Sequence, residues 1–166
     1  PIMRSTWKSD SEEESYAPVE SESQEEKILS SQEEFYMEKE LENFLIKNWD
    51  KTELGKKYDL IEEEGNLVSQ QYQTDIGKID ILVKDKNTNQ YVVIELKRSQ
   101  TSDDTIGQLA RYMGWLETHK TNGKATKGII IAGSYDKKLV YALKKVKDVE
   151  IYLYQIKFTL TEFKEQ

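Results

Sequence analysis

Apolar residues recur along this chain in changing rhythms, and each change of rhythm marks an element. Between residues 31 and about 49, Phe35, Leu41, Phe44, Leu45 and Trp49 fall at helical spacing, and Ser31 with Glu34 has the form of a capping box. Residues 55–66 are charged and without period, a loop with a short extended piece. Residues 67–74 and 78–84 read as strands, 85–90 as a hairpin loop, and 91–97 as a third strand, central by its apolar density. Ser102, Asp103 and Asp104 open a helix to about His119, with Ile106, Leu109, Ala110, Met113 and Leu116 as its buried face. Beyond a turn at 121–126, residues 127–132 form a buried strand, 135–146 a Lys-rich helix and 149 to about 160 a last strand. The order is helix, three strands, helix, strand, helix, strand. It predicts one α/β domain over residues 31–166, a mixed central β-sheet flanked by helices.

One residue breaks the first helix's pattern. At ~100° per residue, the mean direction of its apolar side chains lies within ~20° of Glu38. Glu40 points the opposite way, and Glu42 lies at the edge of the stripe. A carboxylate in the middle of a buried stripe is costly unless a cation meets it. The plain alternative is a stripe-edge Glu whose head reaches water.

Charge changes the picture of partners. The formal net charge is −7, but residues 1–33 hold nine acids against Arg4, Lys8 and Lys27, a net of −6. The other 133 residues hold 22 acids and 21 bases, a net of −1. A near-neutral body announces no broad basic surface, so any nucleic-acid contact falls to local Lys and Arg clusters, which counts against tight nonspecific binding. Residues 1–30 are rich in Ser and Glu and contain Pro18. They hold too few aliphatics to offset their ordering entropy, so an acidic, disordered tail or tether is expected, with Trp7 as a candidate docking anchor. Zero cysteines exclude disulfides, thiolate zinc sites and a cysteine nucleophile, and fit a reducing cytoplasm, the expected location. No run approaches ~18 apolar residues, so no membrane partner is expected. The first residues lack a basic region followed by an apolar run, so no signal peptide is expected either. Pro1 in place of an initiator Met fits Met removal or a fragment of something longer.

The candidate chemistry lies between Gly77 and Tyr112. In the third strand a period of two puts Val93, Glu95 and Lys97 on one face and Val92, Ile94 and Leu96 on the other. On the preceding strand Ile79, Ile81 and Val83 share a face, which leaves Asp80 opposite them. Pairing these strands brings Asp80 and Glu95 together. Adjacent carboxylates repel, and a hard divalent cation relieves them. Oxygen ligands with open positions suit Mg²⁺, with Mn²⁺ as substitute, rather than zinc. Phosphodiester hydrolysis needs such an arrangement, because the ion holds a phosphate oxygen and lowers the pKa of its bound water. Lys97 can orient or deprotonate that water and stabilise the transition state. Gln108 and Tyr112, at i and i+4 on the next helix, can hold Lys97 or touch the backbone of a nucleic acid, and Arg111 is a further phosphate contact. An isolated Glu-x-Lys arises by chance in most proteins. The full set, in this order of strands and helix, is far more specific.

The run Gly77-Lys78-Ile79-Asp80-Ile81-Leu82, then Val92-Val93-Ile94-Glu95-Leu96-Lys97-Arg98, then Asp103-Asp104 and Gly107-Gln108-Leu109-Ala110-Arg111-Tyr112 resembles the PD-(D/E)XK nuclease superfamily. More narrowly it resembles the catalytic domain of the NucS/EndoMS endonucleases, over roughly residues 34–158. The resemblance implies a restriction-endonuclease-like fold and DNA as substrate. It makes Asp80 and Glu95 metal ligands, Lys97 the catalytic lysine, and Gln108 and Tyr112 a supporting pair. An acidic residue on the first helix completes the metal site in such proteins; Glu38 fits by phase and Glu42 is the reserve. Arg98, Arg111 and Tyr112 are then nucleic-acid contacts. Two departures limit the likeness. Only an acidic tail precedes the domain, where NucS proteins carry a DNA-binding and dimerising domain. No clamp-binding motif of the Gln-x-x-aliphatic-x-x-aromatic-aromatic type ends the chain. Mismatch recognition and clamp coupling are therefore not carried over.

Other features read blandly. His119, the one histidine, sits near a helix end, where a dipole contact or surface position is expected. Gly123, Gly128 and Gly133 do not form a phosphate loop. Lys137, Lys138, Lys144, Lys145 and Lys147 make a solvated helix face that could line a DNA groove. Trp115 is a packing residue. The expected activity is thus a metal-dependent DNA endonuclease. The alternative is a catalytically silent nuclease-fold module that binds nucleic acid or a protein partner within a repair or defence complex. Cutting both strands of a duplex needs two active sites, so a homodimer or larger complex is a further expectation.

Overall fold

The computed structural model describes residues 24–157 and 159–164. Its centre is a mixed sheet. Helix α1 (Gln24–Lys47) leads through a 3-10 turn (Trp49–Lys51) to the short α2 (Glu53–Lys57) and strand β1 (Tyr58–Leu60). A small separate hairpin of β2 (Glu62–Glu63) and β3 (Asn66–Leu67) comes before β4 (Gln70–Thr74), β5 (Gly77–Asp85) and β6 (Tyr91–Thr101). Then follow α3 (Asp103–His119), β7 (Lys127–Tyr135), α4 (Lys137–Leu143) and β8 (Val149–Leu153). The main sheet runs β1-β5-β6-β7-β8, and β4 also pairs with β5. β1 pairs with residues 83–85 of β5 and β4 with residues 77–81 of it, both antiparallel. β5 and β6 are antiparallel, whereas β6–β7 and β7–β8 are parallel and are crossed by α3 and α4.

Two cores sandwich this sheet. Ile79, Leu82, Val93 and Ile130 pack under α3 and α4 with Leu109, Leu116 and Leu139. Ile81, Val83, Val92, Ile94 and Leu96 pack on the other face with Trp49 and Leu54, with Leu41 and Leu45 of α1 alongside. Each fully buried aliphatic contributes ~1.5–3 kcal/mol relative to exposure, so the strands buried on both faces carry much of the stability. Trp49 closes the α1 end by donating Nε1–H to the Tyr58 carbonyl at 2.9 Å.

Several expected boundaries shift, each for a physical reason. α1 begins at Gln24 rather than Ser31, so the capping-box pair lies inside the helix; residues 1–23, including Trp7, lie outside the described residues. The expected loop at 55–66 instead contains the end of α2, β1 and most of the β2–β3 hairpin. Leu67 belongs to that hairpin, and the strand placed at 67–74 starts only at Gln70. β6 and β7 run on to Thr101 and Tyr135, and α4 shrinks to Lys137–Leu143 with Asp136 as its cap, accepting from Leu139 N at 2.8 Å. β8 stops at Leu153 instead of continuing to 160. Phe44, expected on the buried stripe of α1, is 62% exposed. Ile79 shares strand parity with Ile81 yet packs on the opposite face, so alternation breaks around Asp80.

Gly128 sets how closely α3 approaches the sheet. A Cβ there would meet Leu109 Cδ2 at 2.5 Å and Met113 Sδ at 2.9 Å. Gly128→Ala should therefore destabilise the chain by ~1–3 kcal/mol through overpacking, and Leu109→Ala by ~2–5 kcal/mol through a cavity. Urea denaturation of both singles and the double variant checks this: the double should lose less than the sum, because the new methyl occupies space that Leu109 vacates.

Candidate active site

The site forms where β5 and β6 part. Their ladder extends from Lys84–Tyr91 to Ile81–Ile94. Past that point the Asp80 side chain stands in for a strand neighbour, its Oδ2 accepting from Leu96 N at 2.9 Å. Glu95, one residue back on β6, is only 2% exposed. Gln108 on α3 donates Nε2–H to its Oε1 at 2.7 Å, and Lys97 Nζ stands 3.6 Å from the same oxygen. Glu95 Oε2 is buried with no hydrogen-bond partner among the described residues. Just after Lys97 the register of β6 on β7 shifts.

Burial dominates the electrostatics. It raises the Asp80 carboxyl to about 6 against the opposing Leu96 N–H bond, with the Glu42 charge adding to the rise. It raises the Glu95 carboxyl to about 8, with the Asp80 charge second and the Lys97 ammonium opposing. Tyr112 is raised too, by burial first and then by the charges of Glu95 and Asp80. Its hydroxyl lies directly under Gly77, where a Cβ would come within 2.6 Å of it. Gly77 also has φ +138°, so both space and backbone require glycine at this point.

Helix α1 covers the other side, and its phase differs from expectation. Glu38 is half-buried, with Oε1 accepting from Arg98 N at 3.2 Å. Glu42 is the buried carboxylate, 3% exposed. Its Oε1 accepts from Gln70 Nε2 at 2.7 Å and its Oε2 from Gln71 Nε2 at 2.6 Å, with Lys39 Nζ 3.8 Å from Oε1. Because Phe44 faces outward, the true inward stripe is Glu38, Leu41, Glu42, Leu45 and Trp49. A cleft of about 360 Å³ runs between α1 and the sheet, lined by Glu38, Glu42, Gln71, Lys78 and Asp80 among others.

The structure thus brings Asp80, Glu95, Lys97, Gln108 and Tyr112 together, with Glu38 on the cleft wall. Gln108 holds Glu95, whereas the expected partners were Lys97 or a nucleic-acid backbone. Arg98 and Arg111 both have exposed side chains. The Arg98 peptide is engaged, its N–H by Glu38 and its carbonyl by the Tyr154 hydroxyl at 2.7 Å. His119 lies apart, its ring stacked on Trp115 at 4.9 Å, while Trp115 Nε1–H donates to Asp75. Gln70 and Gln71 escaped the sequence reading, since nothing in Gln70-Gln71-Tyr72-Gln73 marks amides that turn inward.

The donor set suits a hard divalent cation: two carboxyls destabilised as anions by burial, one of them with an unpartnered oxygen. Among the described residues no three acidic or imidazole side chains converge tightly enough to cage an ion on their own. An open site that leaves positions to water and substrate is what Mg²⁺ tolerates.

In architecture the chain is a mixed-sheet α/β domain, a fold it shares with solved structures. It matches the crystal structure of a repair endonuclease from Pyrococcus abyssi with TM-score 0.57 and 23% identity, over 71% of this chain and 46% of that one. It matches the structure of an EndoMS-dsDNA2 complex with TM-score 0.55 and 20% identity, over 72% and 46%. By sequence, the chain belongs to the Endonuclease NucS C-terminal domain family, whose profile matches residues 38–157. It is 38% identical over 76 residues to Endonuclease NucS of Methanocaldococcus jannaschii, covering 46% of this chain and 28% of that protein. It is 31% identical over 117 residues to Endonuclease NucS of Sulfolobus acidocaldarius, covering 69% and 42%. The chain therefore spans well under half the length of these curated relatives. Among the described residues no helix is long and apolar enough to cross a membrane.

The raised carboxyls make stability depend on pH. Asp80 and Glu95 hold protons more tightly folded than unfolded, so their contribution is complete below about pH 4 and is lost as pH rises through 6 and then 8. In chelator-treated protein, Glu95→Gln should thus melt above the wild type at pH 8, by about 2–4 °C for each ~1 kcal/mol recovered. The gap should vanish near pH 4. Melting curves across pH 4–9 check this, and a gap that widens toward acid would contradict it.

Proposed function

We propose that this chain is a Mg²⁺-dependent endonuclease domain of the PD-(D/E)XK type that hydrolyses phosphodiester bonds of DNA. The observation that carries the reading is the buried Asp80–Glu95 pair beside Lys97, with the unpartnered Glu95 Oε2. The family, and the repair endonucleases of the same fold, support it. Asp80 and Glu95 would hold the ion, with the Glu38 carboxylate contributing from α1. A bound Mg²⁺ or Mn²⁺ would supply Lewis acidity at a phosphate oxygen and an acidified water.

The remaining work belongs to the chain's own residues. Lys97, anchored 3.6 Å from Glu95, orients the attacking water and donates to the charge that grows on the phosphate. Gln108 fixes the Glu95 carboxylate, so that Oε2 faces the reaction space. Tyr112, pinned under Gly77, holds α3 in register with β5. Arg98 and Arg111, both exposed, contact phosphates to either side. DNA is the proposed partner, and cutting both strands brings in a second active site, from a homodimer or a larger complex. The complete charged set counts against a silent binding module, which has no need of an unpartnered buried carboxylate oxygen.

Incubation of the chain with duplex, single-stranded and branched DNA in Mg²⁺ or Mn²⁺ should give cleavage of at least one substrate. Asp80→Ala and Lys97→Ala should each lower the rate by ~10²–10⁴-fold. Cleavage that neither substitution changes would place the chemistry elsewhere.

A further inference from the structure

Gln71 departs from every local preference around it. Its φ of +51° lies in the left-handed region, which glycine and asparagine adopt readily and other residues rarely do. The residue sits opposite Asp80, in a gap between the paired positions Gln70–Ile81 and Tyr72–Ile79. This backbone sends the side chain inward, where Nε2 reaches Glu42 Oε2 at 2.6 Å and Asp80 Oδ1 at 3.4 Å. Only the NH₂ end of an amide can face two carboxylates, so the partners themselves settle which end points in. A strained backbone that aims one polar group between two acids is an observation from which function can be inferred.

We infer that the Gln71 amide occupies the gap between Glu42 and Asp80, a place a second cation would otherwise take, and so restricts the site to one ion, held by Asp80 and Glu95. The inference rests on the nuclease reading above and concerns how many ions that site accepts. Glu42 is the carboxylate with least need of an ion, because amides of Gln70 and Gln71 already serve both its oxygens. The amide is asymmetric, tight on Glu42 and loose on Asp80, so Asp80 Oδ1 stays exchangeable. Asp80 Oδ2 accepts from Leu96 N, while the neighbouring Glu95 keeps its Oε2 buried and unpartnered. The acceptor of the pair left unmet is thus Glu95 Oε2, not an oxygen next to Gln71. Gln71 is thus a positioning residue that acts through Asp80 and Glu42.

The test counts ions on the full chain with Mn²⁺ as probe, by calorimetry and by electron paramagnetic resonance. The wild type should bind one Mn²⁺ per chain. Gln71→Gly keeps the left-handed backbone accessible and removes the amide, so it should bind two, with the spectrum of a magnetically coupled pair. Adding Glu42→Gln to that variant should return the count to one. Glu42→Gln alone, which is independent of how Gln71→Gly folds, should leave the count at one and weaken binding by no more than the ~10–100-fold typical of an outer partner. Two coupled ions in the wild type, a count that stays at one in folded Gln71→Gly, or a larger loss in Glu42→Gln would overturn the role of Gln71 and leave the nuclease reading standing. A wild type that binds no Mn²⁺ would instead overturn the nuclease reading of the site, and this inference with it.

Discussion

Asp80 and Glu95 are buried side by side where two strands separate, and the surrounding architecture follows from the cost of that burial. Taking an ionised carboxylate out of water costs several kcal/mol even after relaxation. A neutral hydrogen bond returns ~0.5–1.5 kcal/mol net, and one to a charged group ~1.5–3 kcal/mol. Asp80 receives one backbone N–H and a distant amide; Glu95 receives one amide and an ammonium 3.6 Å away. These donors fall short of the desolvation they face, which is why both carboxyls are raised rather than lowered. The shortfall makes the pair receptive to a strong positive charge.

Holding such a pair requires a stiff frame. β6 is the natural bearer, since its apolar side chains are buried on both faces and it is paired on both edges. The parallel crossover from β6 to β7 lays α3 over the face from which Glu95 projects, and so delivers Gln108 to it. Gly128 and Gly77 let α3 come close at two points, one against Leu109 and one against Tyr112. The same closeness that packs the helix thus aligns the amide that fixes Glu95.

How far the sequence could be read depended on how local the cause was. The order of elements and the facing of Glu95 with Lys97 were legible, because the alternation of β6 is set by burial on both faces. The phase of α1 was only partly so. Phe44 drew the apparent stripe around the helix, and nothing local says that this phenyl ring would stay in solvent while Glu42 is buried by two glutamines from a distant strand. Ile79 crossed to the other core because the ladder to β6 ends beside it, a tertiary event. The tail after Leu153 shows the reverse failure. Tyr154 still donates its N–H to the Ala132 carbonyl of β7 at 3.1 Å, but Ile156 is 75% exposed and Leu160 84%, so alternation that leaves the sheet does not make a strand. Gln71 was illegible for the strongest reason: its left-handed backbone has meaning only once Glu42 and Asp80 are both in place.

The charge balance around the cleft joins site and substrate. Glu38, Glu42 and Asp80 line or border it against Lys39 and Lys78, with Glu95 and Lys97 close behind, so acids and bases nearly balance across the cleft. The near-neutral body adds no broad basic field. Under the proposed function, a phosphate that approaches Asp80 and Glu95 in their ionised forms meets local repulsion. Protonation of the pair or a divalent ion removes that repulsion, and only the ion also supplies a ligand position for the phosphate. Under the proposed function, nucleic-acid affinity and ion occupancy of the pair form one linked equilibrium.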